Sequence, residues 1–175
     1  MENRPRIGTS ACLLGEKVRY DGESKRNDFI TDILGRFFTI VPVCPEVECG
    51  LSVPRDAMRL EGDPLRPRLV VISSRADLTE RMLEYCRIKM FELERQELCG
   101  FIVKNNSPSC GLFQVRVYNK GIPPMSGRGL FAAAITERFP CLPIEEEGRL
   151  EDTAIRENFI ERVFAFRNWK KQARF

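Results

Sequence analysis

Short, continuous apolar runs alternate along this chain with segments whose apolar residues recur at helical spacing. A continuous apolar run is typical of a strand buried on both faces, as in parallel sheets. We predict strands over residues 7–14, 39–43, 68–73, 100–104 and 141–144, and helices over 27–37, 77–97, 129–138 and 152–171. Asp77 and Glu80 are placed to form a capping box. The alternation predicts a single α/β domain with a mostly parallel sheet and helices on both faces, a Rossmann-like arrangement.

The composition is that of a globular domain, and it removes whole classes of catalytic site. The 175 residues are 43% hydrophobic and 30% charged, and no apolar run approaches the roughly 18 residues of a membrane span. The N-terminus lacks the apolar core of a signal peptide, so we expect a cytoplasmic protein that does not use a membrane. The chain has no histidine, which excludes Ser-His-Asp and Cys-His nucleophiles and imidazole metal sites. Catalysis must therefore use carboxylates, lysine, hydroxyls, thiols or a cofactor.

Four of the seven cysteines follow predicted strands, in loops rich in glycine, proline and serine. Cys12 follows the first strand, Cys44 and Cys49 follow the second, and Cys110 follows the strand at 100–104. Ligands of parallel α/β sheets bind beyond the carboxyl ends of the strands, so these thiols are expected to converge on one edge. Disulfides are improbable in a reducing compartment. A metal or redox site therefore competes with the simpler reading that these are incidental thiols.

The type of metal stays open at this level, because no compact Cys-x-x-Cys pair is present. Four thiolates suit a closed zinc site, whereas a catalytic 4Fe-4S cluster keeps one iron without a protein ligand. The placement at strand ends, among polar residues, favours the open kind. For the other three cysteines we expect the role of small buried hydrophobic residues: Cys86, Cys99 and Cys141.

Two polar side chains beside these cysteines are candidates for chemistry. Glu46 lies between Cys44 and Cys49 and is either a general acid beside a cofactor or a solvated turn carboxylate. Ser107, close to Cys110, either orients a substrate or caps its loop. The glycine loop 126–129 opens a predicted helix, where free amides could hold a phosphate or carboxylate.

The C-terminal segment is basic and amphipathic. We divide the chain into residues 1–150, the domain that carries the cysteines, and 151–175, a helix that could link to a second domain. The final 14 residues carry five positive charges and no acidic residue, with Phe164, Phe166 and Trp169 interleaved among the charges. This pattern suits nucleic-acid contact or an apolar face that packs against another domain.

Three separated motifs together resemble the thiouracil desulfidase (TudS-like) family. They are Ser-Ala-Cys-Leu-Leu-Gly at 10–15 with Arg-Tyr-Asp-Gly at 19–22, Val-Cys-Pro-Glu-Val at 43–47 with Gly-Leu at 50–51 and Pro-Arg at 54–55, and Ser-Pro-Ser-Cys-Gly at 107–111. The resemblance covers roughly residues 6–135. The segment 139–162 is similar to the branch in which this domain is fused to a tRNA-binding domain and acts on 4-thiouridine in tRNA.

This resemblance implies a 4Fe-4S cluster bound by three cysteines, with the fourth iron open to the sulfur of the substrate. Carried over by motif, the ligands are Cys12, Cys110 and either Cys44 or Cys49, with Glu46 as the acid and Ser107 as a substrate contact. Cys49 stands where many relatives have glycine, which leaves the second ligand open.

The implied function is hydrolytic removal of sulfur from 2-thiouracil or 4-thiouridine, free or in tRNA. A non-catalytic iron–sulfur or zinc module that serves a protein or RNA partner is the alternative.

Overall fold

The computed structural model describes residues 4–173 and contains two four-stranded sheets. Sheet A has the order β2-β1-β5-β8, and sheet B has the order β4-β3-β6-β7. The strands are β1 (Arg6–Ser10), β2 (Thr39–Val43), β3 (Met58–Asp63), β4 (Arg66–Val71), β5 (Gly100–Val103), β6 (Val115–Asn119), β7 (Ile122–Gly127) and β8 (Ile144–Glu146). The helices are α1 (Gly35–Phe37), which continues a π-helical turn Phe29–Leu34, α2 (Pro45–Glu48), α3 (Thr79–Arg95), α4 (Leu130–Arg138) and α5 (Thr153–Gln172).

Sheet A is parallel throughout, as the apolar runs predict. β1 pairs with β2 on one side and β5 on the other, with Ile7 opposite Ile40 and Gly100, and β8 extends the sheet beyond β5. The two faces of the sheet support separate clusters of buried side chains. Phe101 and Val103 join the larger cluster beneath α3 and α4, whereas Ile102 joins the other, beneath α5 and the π-helical turn that precedes α1. Helices therefore cover both faces, and the predicted fold class is confirmed.

Sheet B is a difference from the sequence prediction. β4 overlaps the predicted strand at 68–73, but it pairs antiparallel with β3 and lies outside the parallel sheet. The sequence does not predict β3, β6 and β7, because they are partly or largely exposed and none of them is a continuous apolar run. β7 carries two prolines, which an edge strand tolerates because one side needs no ladder donors.

Two local predictions are wrong in detail. The strand expected over residues 7–14 ends at Ser10, and a 3-10 turn, Ala11–Leu14, follows it. Helix α3 begins without a side-chain cap, so the predicted capping box does not form. Asp77 instead accepts hydrogen bonds from the amide and the hydroxyl of Thr79, at 2.9 and 2.5 Å.

Helix α5 packs against the domain. Asp152 caps it by accepting hydrogen bonds from the amides of Ala154 and Ile155 at 2.8 and 3.2 Å, and Phe159 and Val163 are buried on sheet A. Trp169 remains 56% exposed. The division of the chain at residue 150 stays a prediction. Among the residues described, no helix has the length and apolar character needed to cross a membrane.

The N-terminus of α4 rests on the turn that carries Cys110. The amide of Gly129 donates to Gly111 O at 2.8 Å, and the next three amides donate to carbonyls of Pro108 and Ser109. These bonds occupy the amides that we expected to be free for an anion. The loop 126–129 therefore has a structural role, which is to hold the start of α4 against the Cys110 turn. A Cβ at Gly129 would lie 2.5 Å from the carbonyl of Ser109, so this close approach requires glycine.

We therefore expect Gly129→Ala to lower the free energy of unfolding by about 1–3 kcal/mol, since the turn must move to admit the methyl group. Denaturant unfolding followed by circular dichroism measures this. The matched control is Gly35→Ala, because Gly35 is helical and its Cβ would lie 3.8 Å from the nearest atom. The control should be neutral or more stable by up to about 1 kcal/mol. Equal effects of the two substitutions would contradict this account of the α4 contact.

Candidate functional site

The carboxyl edge of sheet A opens into a cavity of about 330 Å³. Three thiols line it, each from a segment that follows a different strand: Cys12 from the 3-10 turn after β1, Cys44 from the residue after β2, and Cys110 from the loop after β5. All three are free cysteines. The parallel pairing of the strands thus brings together three of the four cysteines that we expected to converge.

Burial keeps these thiols in their neutral form. It raises the pKa of Cys12 to about 11, with the neighbouring Cys44 adding to the shift and Lys104 opposing it. Burial likewise raises the pKa of Cys44 and, more strongly, that of Cys110, where the Ser10 side chain acts in the opposite direction. A metal centre at this cavity would displace these protons, because thiolates are the coordinating form.

Cys49 lies apart from the other three. It follows the short helix α2, and its thiol donates a hydrogen bond to the carbonyl of Glu46 at 3.2 Å. Its side chain packs against the larger core cluster and does not line the cavity. Burial raises its pKa as well.

The segment that carries Cys44 is anchored to α3 through Glu48. The Cys44 amide donates to Glu48 Oε1 at 2.9 Å, while Glu48 Oε2 accepts from Tyr85 at 3.0 Å and lies 2.7 Å from Lys89 Nζ. Pro45 begins α2 and fixes the backbone between Cys44 and Glu46. One rigid turn therefore presents both a thiol and a carboxylate to the same space.

Glu46 lines the cavity and is held on both of its carboxylate oxygens. Arg55 donates to Oε2 through Nε at 2.9 Å and also through Nη2, and the hydroxyl of Ser109 donates to Oε1 at 2.8 Å. The side chains of Glu46 and Arg55 are 13% and 8% exposed. Glu46 is thus an oriented, largely buried carboxylate, and the reading of a solvated turn residue does not describe it.

Ser107 lines the cavity and also caps its own turn. Its Oγ accepts hydrogen bonds from the amides of Ser109 and Cys110 at 3.2 and 3.0 Å. Both sequence-based readings of Ser107 are therefore compatible with its position. A hydroxyl that accepts in this way keeps its own proton to donate to a ligand in the cavity.

The model of the 2-thiouracil desulfurase family matches residues 7–147, a range that contains every cavity residue named above. The chain belongs to the 2-thiouracil desulfurase family. It is 29% identical over 110 residues to the uncharacterized protein YbbK of Bacillus subtilis strain 168, a match that covers 60% of this chain and 72% of YbbK. The solved structure of the [4Fe-4S]-dependent thiouracil desulfidase TudS superposes with a TM-score of 0.69 at 28% identity, covering 89% of this chain and 99% of that one.

In this member of the 2-thiouracil desulfurase family, Arg55 is a site residue whose role the sequence alone does not predict. Besides Glu46, its guanidinium donates to the carbonyls of Val18 and Ser52 at 2.9 and 3.0 Å, and its amide donates to Tyr20 O at 2.9 Å. Arg55 therefore ties the loop that borders the cavity to the carboxylate inside it. The signal was present, since the Pro-Arg pair at 54–55 is part of the motif, but its partner could not be read from spacing.

Two consecutive glutamates at the end of β8, Glu146 and Glu147, support the loops of the site. Glu146 Oε1 accepts hydrogen bonds from the amides of Leu112 and Phe113 at 2.8 and 3.0 Å, just after Cys110. Glu147 accepts from Lys104 Nζ at 2.5 Å and from the amide of Asn105 at 2.7 Å. These buried carboxylates hold the loop after β5 on both sides of Cys110.

The remaining cysteines lie outside the cavity. Cys86 and Cys99 are buried, as expected. The expectation for Cys141 is wrong: it is exposed, because β8 begins only at Ile144 and Cys141 lies in the turn that precedes it.

The donor geometry also bears on the type of metal. Over residues 4–173, no three His, Cys, Asp or Glu side chains are close enough to hold a single metal ion. The three cavity thiols therefore do not form a ready site for one zinc ion. Three thiols from three different loops are soft donors of the kind that iron–sulfur clusters take.

Proposed function

We propose that this protein is a [4Fe-4S]-dependent desulfidase that removes sulfur from a thiolated uracil. The observation that carries the proposal is the single cavity that Cys12, Cys44, Cys110, Glu46 and Ser107 line together. Membership of the 2-thiouracil desulfurase family and the likeness to TudS support it.

Cys12, Cys44 and Cys110 are the residues that would hold the cluster. Their thiols are soft donors, which iron–sulfur clusters take, and they come from three different loops around one cavity. With three protein ligands, the bound cluster would supply one iron at which the sulfur of a thiocarbonyl can be polarised. Cys49 packs against the core and does not line the cavity, so we do not include it among the ligands.

The chain's own residues then supply binding and proton transfer. The hydroxyl of Ser107 donates a hydrogen bond to an oxygen or nitrogen of the pyrimidine. Glu46 accepts a proton from the water that adds to the thiocarbonyl carbon, and returns a proton to the departing sulfur. Overall, the C=S group and one water become C=O and hydrogen sulfide, so no oxidant or reductant is consumed.

The candidate substrates are 2-thiouracil and 4-thiouridine, either free or within tRNA. A groove of about 470 Å³ on sheet B adjoins the cavity and shares Asn106 and Pro108 with it. Arg59, Arg116 and Tyr118 line this groove. Their charges and ring suit ribose and phosphate groups attached to the base, which supports a nucleoside or RNA substrate.

The test is anaerobic reconstitution followed by iron and sulfide analysis, and by an assay of uracil or uridine and hydrogen sulfide. We expect close to four irons per chain, a broad absorbance near about 400 nm, and turnover of at least one substrate among 2-thiouracil, 4-thiouridine and thiolated tRNA. Iron-loaded protein that turns over none of them would contradict the proposal and indicate a non-catalytic module. Stoichiometric zinc without iron would contradict the cofactor.

The position of Cys49 predicts that Cys44→Ser and Cys49→Ser differ. Cys44→Ser should lose most of its iron and activity, as should Cys12→Ala and Cys110→Ala, since each removes a cavity thiol. Cys49→Ser should keep its iron, because the Cys49 side chain packs against the core and does not line the cavity. Cys86→Ala, a buried cysteine on α3, is the control and should cost stability alone. Iron loss in Cys49→Ser with retention in Cys44→Ser would reverse the assignment.

Glu46→Gln should keep the cluster and lower kcat by about 10²–10⁴-fold, because glutamine preserves the shape of the side chain and removes the proton acceptor. Iron content and steady-state rates with 2-thiouracil measure the two effects separately. Near-normal turnover by an iron-loaded Glu46→Gln protein would show that another group moves the proton. Loss of iron would instead make Glu46 part of the cofactor site.

A further inference from the structure

The two oxygens of the Glu46 carboxylate have different surroundings. Oε2 accepts two hydrogen bonds from Arg55, one from Nε and one from Nη2. Oε1 accepts one, from the Ser109 hydroxyl at 2.8 Å. A carboxylate oxygen offers about two acceptor positions, so Arg55 fills those of Oε2 and Oε1 retains one. Oε1 is therefore the oxygen with room to take a proton.

Ser109 is placed to control that oxygen. Its side chain is fully buried, and it is absent from the residues that line the cavity. Its backbone is held on both sides: the amide donates to Ser107 Oγ at 3.2 Å, and the carbonyl accepts from Phe131 N at 2.9 Å and Ala132 N at 3.1 Å. The hydroxyl thus leaves a rigid stretch of main chain and reaches a single carboxylate.

The same stretch joins the other parts of the site. Ser109 lies between Ser107, the substrate contact of the proposed function, and Cys110, one of its cluster ligands. Its bond to Glu46 spans 63 residues of sequence and crosses from the loop after β5 to the turn after β2. Through this bond the orientation of the carboxylate is set by the loop that also presents the thiol and the substrate contact.

We infer that Ser109 is a positioning residue of the desulfidase reaction, which directs Oε1 of Glu46 toward the attacking water. The inference rests on the proposed function. In the step concerned, the water oxygen forms a bond to the thiocarbonyl carbon, the C=S π pair moves to sulfur, and one O–H bond of water breaks as its proton passes to Oε1. Ser109 touches none of the reacting atoms and acts through Glu46.

This role predicts a particular pattern of kinetic effects. Ser109→Ala leaves the pair with Arg55 in place and removes the donor that orients Oε1. Loss of one hydrogen bond to a charged group typically corresponds to a decrease in rate of about 10- to 100-fold. We expect kcat to fall by that factor and KM to stay within about threefold, because Ser109 does not contact the substrate. In a Glu46→Gln background the same substitution should change kcat by less than about twofold, since the proton acceptor is already missing.

The experiment compares four reconstituted proteins: wild type, Ser109→Ala, Glu46→Gln and the double variant. Iron content is measured first and rates are given per loaded cluster. kcat, KM and the solvent deuterium isotope effect on kcat follow, with 2-thiouracil, 4-thiouridine or thiolated tRNA, whichever the wild type turns over. The isotope effect should rise in Ser109→Ala, because proton transfer to a misdirected carboxylate becomes more rate-limiting. Thr136→Ala is the matched control: it removes a hydroxyl hydrogen bond of 2.7 Å within α4, the helix that rests on the same loop, and should leave all three quantities unchanged.

The outcomes separate the inference from the proposed function. Additive losses in the double variant, an unchanged isotope effect, or loss of iron from Ser109→Ala would show that Ser109 supports the fold and would overturn the inference, with the desulfidase proposal intact. A fully loaded wild type that turns over none of the three substrates would overturn the proposed function, and the inference with it.

Discussion

The parallel pairing of β1 with β2 and β5 is the constraint on which the site depends. Ser10 pairs with Val43, and Thr9 pairs with Ile102, so strands β1, β2 and β5 end at nearly the same level of the sheet. Cys12 and Cys44 follow within one or two residues of those positions, and the loop to Cys110 begins there too. A slip of one residue in either ladder would also exchange the buried faces of the strands, which the two clusters of core side chains oppose.

Buried carboxylates hold the loops beyond that edge. Glu46, Glu146 and Glu147 each accept hydrogen bonds from amides, hydroxyls or cations of segments distant in sequence. A buried charge is costly unless it is paired and hydrogen-bonded, and removing one partner leaves the other uncompensated. The main effect of these contacts is therefore to specify one arrangement of the loops. Their net contribution to the free energy of unfolding is smaller. Side-chain hydrogen bonds thus fix the conformation of these loops, as backbone pairing fixes that of the strands in the sheet.

Sequence reasoning predicted sheet A well and sheet B poorly, for a physical reason. The strands of sheet A that pack between two layers of helices read as continuous apolar runs, as in Gly100–Val103, all of which is buried. The strands of sheet B are half-exposed, and their alternation is interrupted by glycine, proline and charged residues. The candidate cysteines could be selected because strand ends of a parallel sheet meet. The contacts of Glu46 with Arg55 and Ser109 could not, since nothing in the spacing of residues 46, 55 and 109 shows that they touch.

The absence of histidine explains why the site separates two tasks. Imidazole can bind a metal and transfer a proton, so a single residue type often serves both roles. In the function that we propose, thiols bind the metal and a carboxylate transfers the proton, so the two groups must lie close together without interfering. The sequence Cys44-Pro45-Glu46 places them two residues apart on one turn. Arg55 and Ser109 occupy three of the acceptor positions of Glu46. In the proposed reaction this arrangement directs the carboxylate away from a role as a fourth ligand and leaves Oε1 for the proton.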